Sequence, residues 1–254
     1  MSEKLHFLAA DTEDAKAAFD EAVTAYGQTP VDDAEVIVAL GGDGMMLQTI
    51  NQFLNSKKPI YGMNRGSIGF LMNEFYLDNL PERIAKTNSS QIHPLVMTAV
   101  DQDGNRHTAY ALNEVSLFRQ SYQAAKLEVS IDGKVRLKEL ICDGILLATP
   151  QGSTAYNYSA HGPIIPLRAP LLALTPLSPF RPRRWNGALI PNQSEVRIRV
   201  IEREKRPVNA VADHTEIKSV QEVFIAEDLT RTGIILFDPS HSWEERILDE
   251  QFPD

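Results

Sequence analysis

The chain changes its hydrophobic rhythm near residue 93. Before that point, short apolar runs alternate with helical spacing. Leu5-His6-Phe7-Leu8-Ala9-Ala10 predicts a first strand. Ala15, Ala18, Phe19, Ala22, Val23 and Tyr26 recur at helical intervals, with Asp11 or Thr12 as the N-cap and Gly27 as the stop. Val36-Ile37-Val38-Ala39-Leu40 is apolar without alternation, as a strand covered on both faces requires. Met46, Ile50, Phe53 and Leu54 predict the next helix, starting near Met45 and ending at Asn55-Ser56. Pro59 to Met63 predicts a third strand, and Leu77 to Lys86 a weaker helix with Pro81 near its start. This order implies a parallel sheet with right-handed crossovers.

From His93 onward, period-two alternation dominates. It runs through Leu95–Val100, Ala109–Leu112, Val115–Phe118, Leu127–Ile131, Ile145–Ala148, Val196–Val200, Val208–Ala212, Val220–Ala226 and Gly233–Phe237. Asp103-Gly104-Asn105 and Asp132-Gly133-Lys134 read as hairpin turns. The expected architecture is an α/β, Rossmann-like N-terminal domain (1–92) followed by an all-β sandwich (93–237). Asn88-Ser89-Ser90-Gln91 is expected as a linker. The remaining tail (238–254) is expected to pack on the first domain, with a short helix over Trp243 to Phe252.

Composition narrows the function classes. The 254 residues carry 25 Lys+Arg against 34 Asp+Glu, a net charge of −9, which argues against nucleic acid as a partner. No apolar run approaches the roughly 18 residues of a membrane span, and the N-terminus lacks an apolar leader segment. Cys142 is the single cysteine, so no internal disulfide forms, and a cytoplasmic address is expected. The six histidines are scattered without metal-ligand spacing. No metal-ligating residue is assigned; Mg²⁺ is expected to arrive with a nucleotide.

Four groups offer chemistry. Gly41-Gly42-Asp43-Gly44 joins a buried strand to a helix N-terminus, an arrangement suited to phosphate. A carboxylate repels phosphate, so Asp43 is read as a base for an attacking hydroxyl. The glycine-rich Gly62 to Leu71 forms a second loop at a strand's carboxyl end, where open α/β sheets bind ligands, and Arg65 there is a candidate phosphate contact. Asn113-Glu114 stands in a strand pattern, where neighbouring side chains face opposite ways unless a bulge intervenes. Asp143 to Ser159 runs from a buried strand through Pro150 and Gly152 into a hydroxyl-rich, aromatic stretch fit for a purine. Arg181, Arg183, Arg184 and Trp185 form a basic patch that fits either phosphate or a subunit contact. The Gly-x-x-x-x-Gly-Lys-Ser/Thr, Gly-x-Gly-x-x-Gly and Gly-x-Ser-x-Gly motifs are absent.

In order and spacing these groups resemble the NAD kinases of bacterial type, over essentially the whole chain. Thr149-Pro150-Gln151-Gly152-Ser153-Thr154-Ala155-Tyr156 is the most specific match, whereas Gly-Gly-Asp-Gly is shared with lipid kinases and phosphofructokinases. The resemblance implies transfer of a phosphoryl group from ATP, or polyphosphate, to the 2′-hydroxyl of the adenosine ribose of NAD. Asp43 would deprotonate that hydroxyl, and Gly41, Gly42 and Gly44 would hold phosphates. Asn113, Thr154 and Ser159 would read adenine, with Glu114 near the ribose. Asp143 and Tyr156 would contact the dinucleotide, and Ala155 and Asn157 are counted with the binding residues. A homodimer or homotetramer is implied, with the site between the two domains and partly across a subunit interface. Ile68 and His161 depart from the family pattern, which has leucine and often glycine there. A diacylglycerol-type lipid kinase and a non-catalytic dinucleotide sensor are the competing classes.

Overall fold

A computed structural model describes residues 4–66, 69–183, 185–239 and 243–252. Ile68 and Arg184, singled out above, lie outside them. The chain divides into two units: residues 1–92 with 231–254, and residues 93–230.

In the first unit, β1 (Leu5–Ala9), β2 (Val36–Gly41) and β3 (Ile60–Asn64) pair in parallel. Helix α1 (Glu13–Tyr26) links β1 to β2, and α2 (Asp43–Phe53) links β2 to β3. Thr12 caps α1 by accepting from the Ala15 amide at 3.3 Å. Strand β2 is buried along its whole length. Val36, Val38 and Leu40 pack with Ala18 and Ala22 of α1 and with Leu80 and Ile84 of α3 (Leu80–Ile84). Ile37 and Ala39 project from the opposite face, and α2 packs on β2 and β3. Continuous covering explains the unbroken apolar run.

Two segments differ from the sequence expectation. Asn88–Ile92, which contains the expected linker, is strand β4. Gly233–Phe237, expected in the sandwich, is β17, the last strand among the described residues, and it lies between β3 and β4 in the first unit's sheet. It pairs in parallel with β3 and antiparallel with β4. Five apolar or small residues fit either sheet by pattern, and only the long-range pairing decides.

Buried polar groups fix the place where β3 and β17 part. Asn73 donates its side-chain amide to the carbonyls of Gly62 (3.1 Å) and Leu236 (3.0 Å). Its Oδ1 accepts from the Asp238 amide at 2.9 Å. Asp238 in turn accepts from the Tyr61 hydroxyl (2.9 and 3.0 Å) and from Arg83 Nη2 (2.6 Å). The segment from Gly62 to Asn73 is thus anchored at both ends.

The second unit holds two six-stranded antiparallel sheets. One runs β6-β5-β16-β13-β8-β9, formed by Arg106–Ala111, Leu95–Asp101, Val220–Glu227, Val196–Val200, Ala125–Ile131 and Lys134–Cys142. The other runs β12-β11-β10-β7-β14-β15, formed by Ala188–Pro191, Leu171–Leu177, Gly144–Ala148, Glu114–Arg119, Val208–Ala212 and Thr215–Ile217. Their inner faces share one core, including Leu95, Met97, Leu127, Val129, Val115, Leu117, Ile145 and Leu147. The outer residues of β10, Leu146 and Ala148, are covered by Ile165 and Ala173. No helix among the described residues is long and apolar enough to cross a membrane.

Replacing Asp238 by alanine leaves the Arg83 guanidinium without its partner and the Tyr61 hydroxyl without its acceptor. We expect a loss of about 3 kcal/mol in unfolding free energy, measured by chemical denaturation. A loss below about 1 kcal/mol contradicts the anchoring role.

Candidate active site

Helix α2 begins at Asp43, earlier than the start near Met45 that the pattern suggests. Gly41 ends β2, Gly42 is the N-cap and Asp43 opens α2. The glycines divide the work. A side chain at Gly41 would meet the Cβ atoms of Met45 (2.8 Å) and Ala10 (3.0 Å), so this residue serves packing. At Gly42 and Gly44 the same position is open, with no atom within 4 Å, and the backbone is accessible to a ligand. The first amides of a helix have no intrahelical acceptor, so an anion is stabilised there.

The Asp43 carboxylate reaches back to the second glycine loop. Oδ2 accepts from the Phe70 amide and Oδ1 from the Leu71 amide, each at 2.9 Å. The Arg65 amide donates to Gly41 at 2.7 Å, which ties the start of that loop to the end of β2. Burial pushes the Asp43 pKa up, while the Leu71 and Phe70 amides and the charge of Arg246 oppose the rise; the net direction is upward. The Arg65 guanidinium lies over the Phe75 ring, 3.9 Å from its centroid. This is a cation–π contact inside the unit.

Helix α5 (Trp243–Gln251) meets the same loop. Arg246 Nη1 donates to the carbonyls of Gly69 (2.6 Å) and Phe70 (2.9 Å), and the buried Trp243 packs its ring against Phe70.

In the second unit, Asn113 precedes β7 rather than lying within it, so strand alternation does not separate it from Glu114. The turn from Leu112 to Glu114 is held from two sides. Asp213, which the sequence reading did not single out, accepts from the amides of Leu112 (2.7 Å), Asn113 (3.1 Å) and Glu114 (3.4 Å). Thr149 Oγ1 donates to the Leu112 carbonyl at 2.6 Å, and Gln151 Nε2 donates to it at the same distance. A side chain on Gly152 would lie 2.1 Å from the Asn113 carbonyl, so only glycine allows this approach.

A short 3₁₀ turn over Gln151–Thr154 and a helical turn α4 over Tyr156–Ser159 carry the other expected residues. Thr154 donates to Gln151 at 3.3 Å, Ala155 is half-buried, and Tyr156, Tyr158 and Ser159 are exposed. Tyr156 packs against Phe118 with ring centroids 5.8 Å apart. Asn157 differs from the expectation. It is fully buried, donates to Ser153 (3.1 Å) and Pro163 (2.9 Å), and accepts from Thr175 (2.7 Å). Its side chain holds the turn and does not reach out to a ligand. Asp143 pairs with Arg119 at 2.5 Å. His161 has φ 61°, a left-handed conformation that favours glycine. Arg181 and Arg183 lie over the exposed Phe180 ring, and Trp185 packs on the sandwich core.

Comparison with known proteins reads both units together. Residues 4–92 match the model of the ATP-NAD kinase N-terminal domain, and residues 112–226 match that of the C-terminal domain. The chain belongs to the ATP-NAD kinase family. It is 60% identical over 248 residues to the NAD kinases of Brucella suis biovar 1 (strain 1330) and Rhizobium meliloti (strain 1021), covering 98% of this chain and 96% of each relative. The fold matches that of yeast NADH kinase in its NADH complex, with TM-score 0.84, 21% identity and coverage of 99% of this chain and 88% of that one. It also matches an NAD kinase from Archaeoglobus fulgidus in complex with ATP, with TM-score 0.76, 20% identity and coverage of 99% of both chains. As a family member the chain is a phosphotransferase acting on NAD with ATP.

The surroundings of Glu114 disfavour its charged form. Burial, and then the Asp213 charge, raise its pKa to about 7. Its Oε2 is buried without a hydrogen-bond partner. Asp213 is raised as well by burial, against the pull of its three amides.

Two predictions rest on this pair. The folded-state pKa of Glu114 lies above its ordinary 4.5. The folded chain therefore holds an extra proton, a contribution present in full below the ordinary value and lost as pH rises through 7. Glu114→Gln removes the cost of burying the charge. At pH 8 it should be more stable than the wild type by up to about 3 kcal/mol, with the difference vanishing near pH 4.5. Denaturation across pH checks this; a pH-independent difference contradicts it. Asp213→Ala strips the acceptor from three amides and should cost about 1–3 kcal/mol at pH 7 by the same measurement.

Proposed function

We propose that Asp43 is the general base that takes the proton of the 2′-hydroxyl on the adenosine ribose of NAD. The freed oxygen attacks the γ-phosphorus of ATP. The bond to the β-phosphate oxygen breaks, ADP leaves and NADP forms. The observation that carries this reading is the position of the Asp43 carboxylate. It lies at the first residue of α2, gripped by two amides and flanked by the open backbone of Gly42 and Gly44. A carboxylate fixed on two amides retains lone pairs for a hydroxyl, because each oxygen accepts more than one hydrogen bond. Its upward pKa shift makes it a stronger base than a surface aspartate.

Supporting roles follow from the same residues. The amides of Gly42 and Gly44 face phosphate oxygens, while Gly41 keeps the turn packed. Asn113, Thr154 and Ser159 read adenine, and Glu114 binds ribose hydroxyls, which supplies the partner that its buried Oε2 lacks. Asp143, Ala155 and Tyr156 complete the dinucleotide contacts. Among the described residues no group of three His, Cys, Asp or Glu side chains could hold a metal ion. In this reading the divalent cation is Mg²⁺, carried on the triphosphate, where it neutralises phosphate charge. The assembly is a homodimer or homotetramer in the cytoplasm; the single cysteine, buried at Cys142, suits a reducing compartment.

The test combines ATP, Mg²⁺ and NAD and reads NADP with a dehydrogenase that accepts only NADP. Asp43→Asn should lower turnover about 10²–10⁴-fold while NAD still binds by titration calorimetry. Near-normal turnover in Asp43→Asn overturns the base assignment. A wild-type chain that binds NAD without making NADP is a sensor, not a kinase.

A further inference from the structure

We propose that Arg246, on the C-terminal helix, is a positioning residue for Asp43 in the phosphoryl transfer. The inference rests on the reading of Asp43 as the base. The peptide from Gly69 to Leu71 is clamped from two sides. Asp43 takes its amides at Phe70 and Leu71, and Arg246 takes its carbonyls at Gly69 and Phe70. Each peptide unit carries a dipole, so a cation at the carbonyl end and an anion at the amide end align the same segment. The aligned segment fixes the Asp43 carboxylate in place.

The charge acts as well as the hydrogen bonds. Among the described residues, Arg246 is the charged side chain acting on Asp43, beside burial and the two amides. Arg246 is itself partly buried, faced by Asp43, Asp238 and Glu74, and as a guanidinium it stays protonated. Trp243, buried three residues before it, packs on Phe70 and seats the helix over the loop. None of the four chemistry-bearing groups in the sequence includes this helix. Its contribution is visible only when the loop's hydrogen-bond partners are traced.

The experiment measures kcat and KM for NAD and ATP between pH 5 and 9 in the wild type, Arg246→Met and Arg246→Lys. Arg246→Gln, read the same way, stands in should the methionine variant fail to fold by circular dichroism. Loss of the cation favours the protonated form of Asp43, so the acidic limb of the rate profile should move upward by about 1 in pH. At pH 7 kcat should fall about 10-fold or more, with both KM values within about twofold of the wild type. Arg246→Lys should recover most of kcat and return the limb. An unmoved limb, or a lysine variant no better than methionine, overturns the proposal. So does a raised KM for ATP at constant kcat, which marks direct phosphate contact. Asp43→Asn is run alongside. Normal turnover there defeats the base assignment itself. Lost turnover there with an unmoved limb in Arg246→Met defeats only the role of Arg246.

Discussion

The grip of the Asp43 carboxylate on the Phe70 and Leu71 amides is the interaction on which the juncture of the first unit's two glycine loops depends. A buried carboxylate is costly unless hydrogen bonds and opposite charge surround it. Here two amides, a helix N-terminus and Arg246 supply that surround. The other features of the first unit keep the two glycine loops within reach of each other. Gly41 lets β2 and α2 meet closely, the Arg65 amide binds the end of β2, and Asn73 and Asp238 pin the far end of the second loop. Phosphoryl transfer needs little covalent help from protein and much positioning, so rigidity at this point has direct catalytic value.

The second unit solves a similar problem with the same device. Asp213 holds three consecutive amides, and Thr149 and Gln151 hold the carbonyl side of the same turn. The backbone of the turn is satisfied by these groups, and in the proposed function the side chains of Asn113 and Glu114 serve recognition. The cost appears at Glu114, whose carboxyl sits beside Asp213 and is pushed toward neutrality. Conflict of this kind is characteristic of binding sites, where local stability is given up for chemistry.

Much of this was legible in the sequence. The buried runs at β2 and β10, the glycine pairs, and the shift from helical to alternating rhythm are local signals, and the strands followed them. Three things were not local. Gly233–Phe237 joins a sheet begun far earlier in the chain, at Leu5, and Asn88–Ile92 completes its edge; a five-residue strand carries no label for its sheet. Asp213 and Arg246 act through backbone atoms distant in the chain, so no spacing pattern reveals them. Asn157 directly follows the most specific motif of the family, yet its side chain is spent inside the fold. A motif marks residues that a site requires and does not separate those that touch ligand from those that shape the turn.

The most direct measurement is a crystal structure of the wild-type chain with NAD bound. The account predicts an Asp43 carboxylate oxygen within about 2.6–3.2 Å of the 2′-oxygen of the adenosine ribose, with the Phe70 and Leu71 amides still donating to it. A carboxylate turned away from that hydroxyl, or one that must release both amides to reach it, would contradict the account.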